Sequence, residues 1–175
     1  AGSRLIARPA AGPNENDFNG VLSVGPGAYF DLEEDVHVRV HGDSTSSGTI
    51  SGHGRLLVSS ATPFDNDGVI RPSGDGALTI QQGTYGDWFL DLDGASGSGR
   101  LQLDAPFAQL TVAAKALTGP FGGAITMGPG AELEMDLESD WSAGAAGVID
   151  VHGADTPDAV SQISGSEFEF GGMMN

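Results

Sequence analysis

The chain has no cysteine. That excludes a disulfide framework, a thiolate zinc finger and a cysteine nucleophile. Positive charge is also scarce: one lysine, Lys115, and six arginines stand against 24 acids, for a formal net charge of −17. Nucleic acids and anionic membrane surfaces are recognised through Lys and Arg, so neither is an expected partner. No apolar run reaches the roughly 18 residues of a membrane-crossing helix, and membrane insertion is not expected. Neither end carries the pattern of a secretory leader, so any export signal would lie outside these 175 residues. Aromatic residues are few, with two Trp and two Tyr. Scarce lysine also removes much of the material for long surface helices.

What the chain does have is glycine, 28 residues of 175, against a usual ~7%. Apolar residues make up 39% and come in short bursts, which argues for a packed domain rather than disorder. Val36, Val38 and Val40 alternate with His37, Arg39 and His41; Leu133, Met135 and Leu137 alternate with Glu134, Asp136 and Glu138. A period of two places apolar side chains on one face of a strand and polar ones on the other. Similar bursts recur about every 8–12 residues, separated by Gly, Pro, Asn, Asp and Ser, the turn formers. The expectation is an all-β protein. Two stretches invite a helix. Phe107–Leu117 has apolar residues at helical spacing, but its local alternation and Pro106 favour strands. Thr156-Pro157-Asp158 has the form of a helix N-cap with proline in the first turn, with room for about two turns before Gly165.

The chain also repeats itself. Gly20–Leu32 matches Gly123–Met135 without a gap, and Gly-Pro-Gly-Ala is identical in both copies (Gly25–Ala28 and Gly128–Ala131). Coil starts near Gly20, Gly48, Gly68, Gly99, Gly123 and Gly147 are 28, 20, 31, 24 and 24 residues apart. This is the spacing of a β-solenoid, whose turns bury their apolar faces by stacking. We therefore expect a parallel β-solenoid (β-helix) of roughly six to seven coils over residues 20–175, with residues 1–19 as an N-terminal extension or cap. A glycine-rich β-sandwich or jelly roll is the alternative.

At Asn66-Asp67-Gly68-Val69-Ile70-Arg71-Pro72, followed by Gly76-Ala77-Leu78-Thr79-Ile80, the sequence resembles the β-helical repeat regions of large secreted bacterial proteins, of autotransporter-passenger or filamentous-adhesin type. The resemblance is clearest over Gly68–Leu137. It implies a right-handed parallel β-helix, an extracellular or cell-surface location, and a role in surface structure or adhesion.

Candidate chemistry sits at the corners. Asp65 and Asp67 flank Asn66 before Gly68, and Asp87, Asp91 and Asp93 form a second acidic corner. Oxygen ligands at turns suit calcium, although the same residues also fill turns for their local backbone hydrogen bonds. His37 and His41 share a strand face but stand roughly 13 Å apart, too far for one transition metal. Tyr85 and Trp88 are candidates for stacking on sugar rings. A polysaccharide-binding or -degrading β-helix is the competing reading, with Arg71, Arg100 and Lys115 as potential bases. Paired carboxylates are easily found among 24 acids, however, so no residue is assigned as catalytic. The leading expectation is a non-enzymatic structural or adhesive module. Its partners would be like subunits or further repeats of the same chain meeting at the terminal coils, with surface polysaccharide as a further candidate.

Overall fold

A computed structural model describes residues 2–8, 16–18, 21–41, 43–59, 62, 64–73, 76–82, 89–94, 96–144, 146–152, 160–165 and 167–175, the side chains of 16–18, 41, 89, 143, 168 and 170 excepted. Alternation fixes the local structure. In Glu132–Leu137 the residues run exposed, buried, exposed, buried, exposed, buried. Gln109–Ala114 likewise begins as an alternating strand, so the Phe107–Leu117 stretch is not a helix. No helix occurs among the described residues.

Among the described residues every strand pairing is parallel. One sheet, here sheet A, has eight strands: Arg4–Ala7, Tyr29–Leu32, Thr49–Gly52, Val69–Pro72, Arg100–Leu103, Ala124–Met127, Val148–Val151 and Met173–Met174. Sheet B has seven: Asn16–Phe18, His37–His41, Arg55–Ser59, Ala77–Gln82, Gln109–Ala114, Glu132–Leu137 and Gln162–Gly165. Sheet C has five short strands: Ser23–Val24, Thr45–Ser46, Phe64–Asn66, Phe89–Asp91 and Ala116–Leu117. Trp141–Ala143 and Phe168–Phe170 form a separate pair. The chain visits A, B and C in turn and then returns to A one rung further on, the separate pair taking the place of sheet C in the last two turns. The result is a parallel β-solenoid of about six turns, not a sandwich or barrel. Arg4–Ala7 and Asn16–Phe18, within the segment expected to be an extension or cap, form the first strands of sheets A and B.

Register converts sequence spacing into columns of side chains. Phe30, Ile50, Ile70, Leu101, Ile125 and Ile149 stack inside sheet A. Val38, Leu56, Ile80, Val112 and Met135 do so inside sheet B. Every member of both columns is buried. Each side chain of this size contributes roughly 1.5–3 kcal/mol on burial. The neighbours above and below supply the contacts that no single coil could provide.

The corners explain the glycines. Gly48, Gly68, Gly99, Gly123, Gly147 and Gly172 each immediately precede a strand of sheet A. At Gly48, Gly68, Gly99, Gly123 and Gly172 the role is close approach: a methyl group on Gly68 or Gly123, for example, would lie under 3.0 Å from the carbonyl oxygen of the corner glycine one coil below. The same carbonyls accept the rung hydrogen bonds Val69 N–H to Gly48 O at 2.8 Å and Ala124 N–H to Gly99 O at 3.3 Å. Five of the expected coil starts therefore hold. The first lies elsewhere: the equivalent position before Tyr29 is Ala28, not Gly20, which is outside the described residues.

That displacement follows from what the Gly-Pro-Gly-Ala repeat encodes. In both copies the alanine N–H returns to the first glycine carbonyl, at 3.0 Å for Ala28 and 3.2 Å for Ala131. The second glycine has positive φ, 71° at Gly27 and 68° at Gly130. These are the marks of a type II turn with proline at its second position. The first copy joins sheet C to sheet A, however, and the second joins sheet A to sheet B. The repeat shares corner chemistry, not coil phase. Ala105-Pro106-Phe107-Ala108 uses the same turn, closed by Ala108 N–H to Ala105 O at 3.2 Å, with Phe107 at the positive-φ position (58°).

Candidate functional sites

The acidic corner is built by sheet C. In Phe64–Asn66 the phenylalanine and asparagine point inward, so Asp65 and Asp67 face outward on either side of a fully buried Asn66. The Asp-Asn-Asp-Gly string that suggests a calcium loop is therefore in part plain strand alternation. Asn66 Nδ2 donates to the Leu92 carbonyl of the next coil at 2.9 Å, tying two corners together from inside. Asp91 stacks directly on Asp65 in register. Gly94 packs against the Asp65 and Asp67 carboxylates and donates its N–H to Asp91 Oδ1 at 2.8 Å. Asp67 Oδ1 accepts the Ser96 N–H at 3.1 Å and the Ser96 hydroxyl, and Asp93 Oδ2 accepts the Gly122 N–H at 2.7 Å. Burial, together with the charges of Asp93, Asp65 and Asp67, pushes the Asp91 carboxyl above the ordinary aspartate range, against the Gly94 hydrogen bond.

The structure thus brings Asp65, Asp67 and Asp91 to one corner and turns Asp93 toward the backbone of Gly122. Among the described residues no group of three or more His, Cys, Asp or Glu is arranged to hold a metal ion. Asp87 lies outside the described residues, as do Tyr85, Trp88 and Thr156-Pro157-Asp158. His37 faces outward from sheet B, in register with Arg55.

A second site was missed by sequence reasoning. On the outer face of sheet A, register sets Arg4, Tyr29 and Thr49 in one column and Asp31, Ser51 and Arg71 in the next. Together they line a groove of about 450 Å³. Asp31 forms an ion pair with Arg4 and accepts the Ser51 hydroxyl at 2.8 Å. Partial burial raises the Asp31 pKa, but these hydrogen bonds and the charges of Arg4 and His53 outweigh it and hold the carboxyl below its ordinary range. Arg71 is clamped by Asp104 through Nε and Nη2, both at 3.0 Å. The signal was available: Asp31, Ser51 and Arg71 are spaced by the 20-residue coil length that separates Gly48 from Gly68.

The ends of the coil form a third feature. Leu5 pairs with Phe30 and Met174 with Ile149, so both occupy core-facing positions. Phe30 and Ile149 are buried, yet Leu5 is 61% and Met174 62% exposed. They are open because they lie on the outermost strands of sheet A among the described residues.

Compared with known proteins, the chain matches no family model, no curated protein and no solved structure.

Proposed function

We propose that this chain is a structural, adhesive module of an exported bacterial surface protein, extended along its axis by further coils of the same kind. The observation that carries the reading is the pair of open rungs. Among the described residues, Leu5 and Met174 stand in core columns with no covering neighbour, and the outer sides of Arg4–Ala7 and Met173–Met174 are free sheet edges. A free parallel edge is a template for another strand. A coil of like kind fits best, since it continues both the hydrogen-bond ladder and the apolar columns. End-to-end contact sets the last rung of one copy against the first rung of the next, and a head-to-tail contact of this kind need not close.

The module in this reading is non-enzymatic. Its acidic outer wall keeps the stacked coils solvated, and the corners set the rung geometry. Sedimentation velocity over a concentration series tests it. The purified chain is expected to form elongated, concentration-dependent species, and the double variant Met173→Lys, Met174→Lys to sediment as a single small species, because lysine on an edge strand blocks pairing. A wild-type chain that stays monomeric at every concentration would overturn the proposal.

A further inference from the structure

The groove on sheet A is large enough to take a small ligand and is lined by polar groups. Its volume, about 450 Å³, falls within the ~300–1,000 Å³ range of small-molecule sites. It runs along the coil axis from Arg4 on the first rung to Arg71 on the fourth. At a rung spacing of ~4.8 Å that is roughly 14 Å, the length of a short linear oligomer. Tyr29 presents a half-exposed ring on the outer face, an apolar surface with a polar tip. Beside it lie the hydroxyls of Thr49 and Ser51, the acceptor Asp31 and the donors of Arg4 and Arg71.

Two properties narrow the ligand. First, the charges are balanced. Arg4 is matched by Asp31 and Arg71 by Asp104, so no net positive charge awaits an anion, and a chain of net charge −17 repels an anionic polymer. Second, the polar groups are fixed before any ligand arrives. Asp31 is held by Arg4 and Ser51, and Arg71 by two hydrogen bonds to Asp104. Fixed donors and acceptors lose little entropy on binding. The groove lies on a sheet face, where the backbone groups are already paired between rungs, so an extended peptide cannot add as a strand there. What remains is a neutral, hydroxyl-rich linear ligand with an apolar ring face for Tyr29.

We infer that this groove binds a neutral oligosaccharide lying along the coil axis across the first four rungs. The inference rests on the adhesive half of the function proposed above and is independent of its stacking half. Isothermal titration calorimetry with neutral cello-, xylo- and chito-tetraose, and with tetragalacturonate as the anionic counterpart, tests it. At least one neutral tetraose is expected to bind with an affinity unchanged between low and high salt. Tyr29→Ala is expected to weaken that binding by about tenfold or more, as loss of one stacked ring does, while Tyr29→Phe retains it. Matching denaturation midpoints for the two variants exclude a folding defect; if Tyr29→Ala is destabilised, Ser51→Gln, which fills the groove from its floor, takes its place with the same expected loss. No binding of any neutral tetraose, binding of tetragalacturonate alone, or undiminished binding by the groove variants would overturn the inference. Since sedimentation reads stacking and calorimetry reads the groove, failure of one is distinguishable from failure of the other.

Discussion

Three glycines separate the two reasons a solenoid corner needs this residue. Gly68 has no positive φ, but a methyl group there would lie under 3.0 Å from the Gly48 carbonyl. Ordinary contact begins near 3.4 Å, so Gly68→Ala forces the two coils apart at a buried corner. The 2.8 Å bond from Val69 N–H to Gly48 O is the first casualty. Losing it and leaving a buried group unpaired costs about 1–3 kcal/mol. The overpacking adds about 1–3 kcal/mol. The expected destabilisation is therefore about 2–6 kcal/mol, or roughly 4–24 °C in Tm for a domain of this size. Gly27 is the converse: nothing lies within 4 Å of its would-be methyl, but its φ is +71°. Gly27→Ala should cost only the left-handed penalty of about 1–2 kcal/mol. Gly25 has open space and no positive φ. Gly25→Ala should be neutral or stabilise by up to ~1 kcal/mol, through a less flexible unfolded chain. Urea denaturation of the three variants beside the wild type measures the order. If Gly68→Ala is no worse than Gly25→Ala, the close-approach account of the corner column is wrong.

Phe107 holds a positive-φ position in a turn where Gly27 and Gly130 hold the equivalents, and its ring is 65% exposed. Phe107→Gly should therefore raise stability by about 0.5–1 kcal/mol, the relief of strain less the entropy glycine adds to the unfolded chain; a lower denaturation midpoint would refute this. Asp91 has a raised pKa in the folded state, so the stability it contributes is present at low pH and is lost as pH rises through that folded value. Asp91→Asn, which keeps an acceptor for the Gly94 N–H, should stabilise the protein at neutral pH by a few tenths to about 1 kcal/mol, with the advantage vanishing below the ordinary aspartate range. A less stable variant at neutral pH would count against like-charge strain at this corner. Asp31 titrates in the opposite sense: its contribution is present above the ordinary aspartate value and lost as pH falls through its lowered folded value, so Asp31→Asn should narrow the acid-side loss of stability in denaturant midpoints measured across pH. The oxygens of Asp67, Asp91 and Asp93 already accept backbone N–H groups, so EDTA is expected to leave Tm unchanged; a Tm that falls on chelation and recovers with calcium would make these corners ligand sites.

The strands were legible because alternation is a local property. Val36–Val40 and Leu133–Leu137 each declare which side chains face the core without reference to any other coil. The coil period was legible from Gly48 onward because every later turn begins at a glycine, and at Gly48, Gly68, Gly99, Gly123 and Gly172 a carbonyl beneath leaves no room for a side chain. It failed at the turn that begins at Tyr29, where Ala28 takes that place and a type II turn elsewhere in the coil copies the Gly-Pro-Gly signature. The acidic corner was found by composition, but its internal logic was not. Asn66 faces inward by the alternation that starts at Phe64, but the Leu92 carbonyl its amide donates to lies 26 residues on, which nothing within the string reveals. The groove was harder still. Its residues come from four coils, and nothing relates Arg4 to Arg71 until the pairing register sets their columns side by side.

Coil length is not constant, yet register is. Successive strands of sheet A are offset by 20 residues between Tyr29, Thr49 and Val69, by 31 between Val69 and Arg100, and by 24 at the next two steps. The extra chain is absorbed at corners and displaces no core column. Rung height and corner content are thus independent variables. The axis behaves as a graduated scale, its marks fixed by backbone hydrogen bonds, on which loops of differing length and chemistry can be hung at any mark. Surface diversification along such a chain leaves the interior unrevised, because a new loop alters what a rung displays without altering where the rung stands.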